Sequence, residues 1–146
     1  MSGVSRILSV YDDFEVRQIL LALKDSKLHV SALQIETPPA ETIATLKSAC
    51  QSLVWVSQLT GRRIKELIQQ SLQDRLRFCI ESLTKDSPIL VSSMKTCFER
   101  AKDKDAKESK IQTCQRILKT IHDMEEIVQI REDAPNFEKV QPTCIY

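Results

Sequence analysis

Five cysteines are the residues of this 146-residue chain with the widest chemistry, because a thiolate can bind a metal, form a disulfide or attack a substrate. Zinc and redox motifs place cysteines about two to four residues apart, and no two cysteines here are that close. We therefore predict reduced thiols, and favour them over a metal or disulfide role. Thiols on an apolar helix face are expected to be buried like small hydrophobic side chains. The cysteines are Cys50, Cys79, Cys97, Cys114 and Cys144.

The histidines and carboxylates form no recognisable catalytic pattern. His29 and His122 have no metal-ligand residue at a motif spacing, and we expect both at the surface or its boundary. Adjacent acids such as Glu125 and Glu126 would point about 100° apart on a helix, so they do not converge on one substrate. The chain has no nucleophile elbow, phosphate loop or dinucleotide fingerprint. We predict that the protein is not an enzyme and has no catalytic, cofactor-binding or metal-binding residues.

Composition narrows the class of protein further. The net charge of +1 does not favour nucleic-acid binding, which needs an excess of basic residues on one face. No apolar run approaches the ~18 residues of a membrane span, and the N-terminus lacks the pattern of a secretory signal. We therefore expect a cytoplasmic protein without membrane insertion. Only two glycines in 146 residues disfavour sheets and hairpins, which use glycine at turns.

An all-α fold is the resulting prediction. Residues 1–131 are expected to form an antiparallel up-and-down four-helix bundle with a proline-kinked third helix, and residues 132–146 a flexible C-terminal tail. The pair Pro38-Pro39 separates the first two helices, because consecutive prolines forbid helix continuation. The charged run 102–108 predicts a solvated connection before the last helix. The predicted helices span about 5–36, 39–70, 72–101 and 109–131.

Three details predict how the helices begin and pack. The first helix has apolar residues at seven-residue steps through Phe14, Leu21 and Leu28, with further apolar residues between them, which predicts a wide face packed against two neighbours. Trp55 falls off the main stripe of the second helix, and we favour a second core face over an exposed anchor. Ser71 is predicted to cap the third helix.

Pro88 leaves two interpretations of the third helix. In the first, a single helix kinks because Pro88 has no N–H to donate to the Thr84 carbonyl. In the second, one helix ends near Lys85, and another begins with Ser87 as its N-cap and Pro88 at its first position. Residue spacing alone does not separate them.

Three segments, taken in order along the chain, resemble the second four-helix bundle in the head of the vinculin and α-catenin family. Asp12–Leu20 (DDFEVRQIL) resembles the start of that bundle, and Arg62–Leu67 (RRIKEL) is similar to its Arg-Gln-Gln-Glu-Leu segment. Ser87–Lys95 (SPILVSSMK) is similar to a segment inside its proline-kinked helix. The resemblance covers roughly residues 5–131 and implies a single kinked helix at Pro88.

The resemblance also implies a function. Members of this family are non-enzymatic adaptors that couple cadherin or integrin adhesion complexes to actin. We therefore expect a cell-adhesion and cytoskeletal module at cell junctions, with protein partners of catenin, cadherin or talin type and no cofactor. The first bundle of the family and its actin-binding C-terminal bundle have no counterpart in the sequence. Direct actin binding is therefore not expected, and a link to actin would be indirect.

The start of the first helix is a candidate interaction surface. Without the bundle that precedes it in the family, Ile7, Tyr11 and Phe14 would lack a covering surface, so we expect them to bind a partner or a second copy of the chain. The alternative to an adaptor is an unrelated regulatory helical bundle of apoptosis or membrane-interface type. The even alternation of charges does not favour a membrane interface, which needs a basic face opposite large apolar residues.

Overall fold

The computed structural model describes residues 2–130, with side chains from residue 14 onward. Within these residues the chain is all-helical, without strands, so the predicted all-α class is confirmed. The predicted tail at 132–146 and the side chains of Ile7 and Tyr11 lie outside the described residues. The helices are α1 (Ser2–Ala32), α2 (Pro39–Glu66), α3 (Gln70–Glu99) and α4 (Lys104–Ile127).

Each helix contacts two others, so the four form a ring. α1 lies against α2 and α4, and α3 lies against α2 and α4, whereas no contact crosses the ring between α1 and α3 or between α2 and α4 in the described part of the chain. The most extensive pairings are α3 with α4 and α1 with α2. This arrangement is that of a four-helix bundle, with two closely associated helix pairs.

The core fills the centre of this ring. Complete burial of a side chain such as leucine or isoleucine contributes about 1.5–3 kcal/mol, so about a dozen such side chains outweigh any surface interaction described below. α3 contributes buried leucines at seven-residue steps, as the sequence pattern predicts. The largest fully buried side chains are Ile19, Leu23, Val30, Leu33, Leu72, Leu76, Leu83, Leu90, Met94, Ile117, Ile121 and Met124.

The boundary between α1 and α2 follows from the two prolines. Pro39 occupies the first position of α2, where its missing N–H leaves no helical bond unmade. The hydroxyl of Thr42 donates to the carbonyl of Pro38 at 3.1 Å and lies beside the Thr37 hydroxyl, which fixes the turn. α1 ends at Ala32, four residues before the predicted bound of 36.

The corner between α2 and α3 is held by a buried leucine. α2 ends at Glu66, and Leu67 turns to an extended backbone conformation with its side chain in the core. The Gln73 side chain donates a hydrogen bond back to the Leu67 carbonyl. α3 begins at Gln70 with Gln69 at the N-cap, so the prediction that Ser71 caps this helix is wrong. No side-chain capping bond forms there, and the turn instead depends on burial of Leu67.

α4 begins five residues before the predicted start at 109. Asp103 accepts a hydrogen bond from the backbone N–H of Ala106 at 3.1 Å, so it caps the helix. The side chains of Ala106 and Lys110 are buried against the rest of the bundle. The prediction that 102–108 is a solvated connection is therefore wrong from Lys104 onward, because an aspartate cap and a small apolar residue suffice to extend the helix.

Trp55 and Pro88 each resolve a question left by the sequence. Trp55 is 48% exposed, so its predicted place in a second core face is wrong. α3 continues from Gln70 to Glu99 with Pro88 inside it, which excludes the interpretation with two separate helices. The hydroxyl of Ser87 donates to the carbonyl of Leu83 at 2.7 Å, where it lies within the helix instead of capping a new one.

Candidate partner-binding surfaces

The outer face of α1 carries large apolar side chains. Phe14 is 55% exposed, and three further apolar residues at seven-residue steps are equally accessible. We call these four residues, Phe14, Leu21, Leu28 and Ile35, the α1 outer face, in which Ile35 lies three residues beyond the end of the helix. The wide single face predicted for α1 therefore divides in two, because Ile19, Leu23, Val30 and Leu33 point inward while the seven-residue series points outward.

A second apolar surface is the groove between α2 and α3, two helices that pair less extensively than α1 with α2. The groove has a volume of about 780 Å³, within the usual range for small-molecule pockets. Its surface is mostly apolar, with Leu53 and Leu83 at its base and the accessible side chains of Val54 and Val91 on its walls. We call this surface the α2–α3 groove. The remaining lining residues are Cys50, Ser57, Gln58, Thr84, Ser87, Pro88, Ser92 and Lys95.

Pro88 gives the groove wall an unusual polar group. Because proline has no N–H, the carbonyl of Thr84 does not receive the helical hydrogen bond that a residue four positions later normally donates. Thr84 and Pro88 both line the groove, so the carbonyl without its helical hydrogen bond lies on the side of α3 that faces the groove. The single charged side chain among the lining residues is Lys95.

A polar network joins α3 to α4 close to Pro88. The side chain of Asp86, 9% exposed, accepts a hydrogen bond from Arg116 Nε at 3.3 Å. Arg116 also donates to the Thr113 hydroxyl at 3.2 Å, and the hydroxyls of Ser93 and Ser109 lie 2.8 Å apart. Sequence reasoning missed this network, because its members look like ordinary surface residues when each is considered by itself. The one signal of this network in the sequence is that the charged Asp86 falls on the mostly apolar, buried face of α3.

The cysteines within the described residues are free thiols, with Cys79 and Cys114 buried and Cys50 half-buried. Desolvation raises the pKa of all three, and that of Cys114 reaches about 11. Protonated, buried thiols are poor nucleophiles and poor metal ligands. These positions therefore act as small hydrophobic side chains, as the apolar spacing predicts.

The two histidines, His29 and His122, both keep access to solvent. No group of three histidine, cysteine, aspartate or glutamate residues between 14 and 130 could hold a metal ion. His122 is exposed and lies 4.0 Å from Glu125 and 3.9 Å from Glu126, an ordinary arrangement on one helix surface. His29 is half-buried.

Comparison with known proteins supplies the family. A model of the vinculin family matches residues 1–143. The chain belongs to the vinculin family. The resemblance predicted from three sequence segments is thereby confirmed, because the family model matches this vinculin-family chain over nearly its whole length.

The relatives are much longer than this vinculin-family chain. Vinculin of Drosophila melanogaster is 30% identical over 95 residues, which cover 65% of this chain and 10% of the fly protein. Vinculin of Caenorhabditis elegans is 28% identical over 99 residues, which cover 68% of this chain and 9% of the worm protein. The chain therefore spans about a tenth of the length of these relatives.

The helices were also compared with the requirements for crossing a membrane. None of those in the described residues combines the length and apolar character that a membrane span needs.

Proposed function

We propose that this chain is a non-enzymatic adaptor module of vinculin type, which acts in cell adhesion and the cytoskeleton by binding other proteins through its helices. The observation that carries the proposal is the match of the vinculin family model over residues 1–143. Two accessible apolar surfaces, the α1 outer face and the α2–α3 groove, support it because large exposed apolar patches mark sites of protein–protein interaction.

The proposed architecture is an antiparallel up-and-down bundle in which α3 bends at Pro88. Ion pairs support the relative direction of α1 and α4, since Lys27 lies 3.3 Å from Glu125 and Glu36 lies 3.3 Å from Lys107. As α1 advances, its partner positions in α4 therefore run backward. Contacts between α3 and α4 follow the same rule, with Asp86 near Arg116 and Ser93 near Ser109. A proline inside a helix supports the bend.

The proposed partners are proteins of adhesion complexes, of catenin, cadherin or talin type. The proposed location is the cytoplasm, at cell junctions or on the cytoskeleton. Recognition would place an amphipathic helix of the partner on an apolar surface of the bundle. The proposed linkage to actin is indirect, through these partners.

A pull-down with the intact 146-residue chain tests this proposal when talin, the catenins, cadherin tails and F-actin are scored separately. We expect retention of at least one adhesion protein and no co-sedimentation with F-actin alone. Binding to anionic liposomes without binding to any adhesion protein would contradict the adaptor function and favour the regulatory bundle at a membrane interface. As a control, a chain that was unfolded in urea and then refolded should retain the same adhesion protein as the native chain, because binding is proposed to need the folded bundle.

Self-association through α1 is a second candidate activity. Phe14 is supported by its exposure, by its continuity with Leu21 and Leu28 along one side of the helix, and by the exposed Ile35 just beyond the helix end. Ile7 and Tyr11 stay part of this proposed surface from the sequence pattern alone. We expect light scattering to give a mass that rises toward a dimer at high micromolar concentration and returns to a monomer for Phe14→Asp. A strict monomer at all concentrations, unchanged by the substitution, would exclude the dimer.

A further inference from the structure

We propose that the α2–α3 groove binds a short amphipathic helix whose polar side is acidic, with a carboxylate of that helix placed against Lys95. This inference rests on the proposed function as an interaction module and names the site and the chemistry of the partner. It does not depend on the α1 outer face, which lies on a different helix.

The shape of the groove favours a helix as its occupant. Its lining extends along α3 from Leu83 to Lys95, which at 1.5 Å per residue is about 18 Å, and along α2 from Cys50 to Gln58. A helix of about 12 residues has this length. Both walls are α-helices, so they offer no sheet edge to which an extended strand could add. An apolar stripe at helical spacing would pack between Val54 and Val91.

The charges at the groove favour an acidic occupant. Lys95 is the one charged side chain of the lining, and no carboxylate accompanies it there. Lys95 forms no ion pair with another residue between 14 and 130. A carboxylate at this end would therefore meet an unpaired cation at the border of an apolar surface, where charge complementarity directs orientation.

The groove also discriminates against a purely apolar occupant. The Thr84 carbonyl has no helical donor because Pro88 lacks an N–H. A purely apolar partner surface would cover this carbonyl and remove its access to water, which costs binding free energy. A helix that carries one hydroxyl or amide donor at this level would satisfy it. The preferred partner is therefore a helix with leucine-type residues on one side, a small polar donor among them and acidic residues at the end that faces Lys95.

The test is fluorescence anisotropy with synthetic peptides of about 14 residues that carry a leucine stripe, one serine within the stripe and two glutamates. One peptide has the glutamates in its first turn and another in its last turn, so that both orientations are sampled. We expect one of them to bind the intact chain at least tenfold more tightly than a peptide of the same composition in scrambled order. Equal binding of both peptides and the scrambled control would overturn the proposal.

Variants of the protein locate the binding site. Val54→Glu and Val91→Glu change accessible side chains, so the bundle should fold, as circular dichroism would verify. Each is expected to weaken peptide binding at least tenfold. Phe78→Glu is the matched control, because Phe78 is an exposed apolar residue of the same helix α3 outside the groove lining, and it should change the affinity less than twofold. A loss as large for Phe78→Glu as for Val91→Glu would place binding elsewhere.

A charge exchange tests the acidic partner specifically. Lys95→Glu should weaken binding of the acidic peptide at least fivefold, and a peptide with lysines in place of its glutamates should restore the affinity. Failure of that rescue would refute the proposed contact with Lys95. If adhesion proteins are retained equally by the native chain and by Val91→Glu, the adaptor function stands and this site is wrong. If the peptide binds in the groove but no adhesion protein is retained, the adaptor function is wrong and the site stands.

Discussion

The ion pair between Asp86 and Arg116 predicts an asymmetric response to substitution. The Asp86 side chain is 9% exposed, whereas that of Arg116 is 49% exposed, and their nearest atoms are 3.3 Å apart. Removal of the arginine leaves a nearly buried carboxylate without its cation. Removal of the negative charge leaves a half-exposed guanidinium that water can solvate. The two partners therefore differ in what their loss costs, although they share one contact.

The magnitudes follow from this difference in burial. Arg116→Met retains most of the apolar length of the side chain and is expected to lower the free energy of unfolding by about 2 kcal/mol, within the range for an unsatisfied buried group. Asp86→Asn keeps an oxygen that accepts from Arg116, so its cost is about 0.5 kcal/mol. In the background of Arg116→Met, the same Asp86→Asn change removes an unpaired buried charge. It is therefore expected to raise stability there instead of lowering it.

Urea denaturation followed by circular dichroism measures all four members of this double-mutant cycle. With a slope of about 2 kcal/mol per molar urea, Arg116→Met shifts the midpoint by about 1 M. Thermal denaturation should rank the four proteins in the same order of stability. An equal effect of Asp86→Asn in both backgrounds would refute the reasoning, since it would mean that the carboxylate is hydrated in solution and does not depend on Arg116.

Three further predictions concern single positions in and around the core. Gly61→Ala should raise stability by about 1 kcal/mol in thermal denaturation, because Gly61 lies inside α2 and an added Cβ meets no atom within 4 Å; a decrease would mean that α2 is not helical there. Thr60→Val should also raise the free energy of unfolding by about 1 kcal/mol in urea denaturation, because the fully buried Thr60 hydroxyl has no hydrogen-bond partner among the described residues. A loss of stability would reveal a water or another partner at that hydroxyl. Cys114 should be alkylated slowly in the native chain until the pH approaches its pKa of about 11, because only the thiolate reacts. Unfolding should expose the thiol and speed the labelling, which mass spectrometry measures. Rapid labelling of native Cys114 at neutral pH would contradict its burial.

Much of the fold could be predicted from the sequence because helix periodicity is a local signal. The prolines at 38 and 39 mark the first helix boundary, and the leucines of α3 at seven-residue steps identify its buried side. Helix ends were predicted less well. Asp103 caps α4 within a charged run that appears solvated when charges alone are considered, and burial of Leu67 replaces the expected cap at Ser71.

The candidate site was less accessible to sequence reasoning because grooves are formed by pairs of helices. On α1, two apolar series overlap, and periodicity does not tell which of Leu21 and Leu23 points inward; only packing against α2 and α4 decides it. The same limit explains the wrong placement of Trp55. The α2–α3 groove combines Val54 with Val91, residues from two helices whose register no local pattern contains. The family resemblance provided what periodicity could not, namely that Pro88 lies inside one helix.

The ring of helix contacts has a consequence for how the chain folds. Three of its four sides join helices that are consecutive in sequence, through connections of only a few residues. The fourth side joins α1 to α4, and the pair of Lys27 with Glu125 spans it. Because most contacts are local in sequence, the relative contact order is low, and such helical domains fold in microseconds to milliseconds. Closure of α1 against α4 carries the largest loop-closure entropy and is expected to be the step that limits the folding rate.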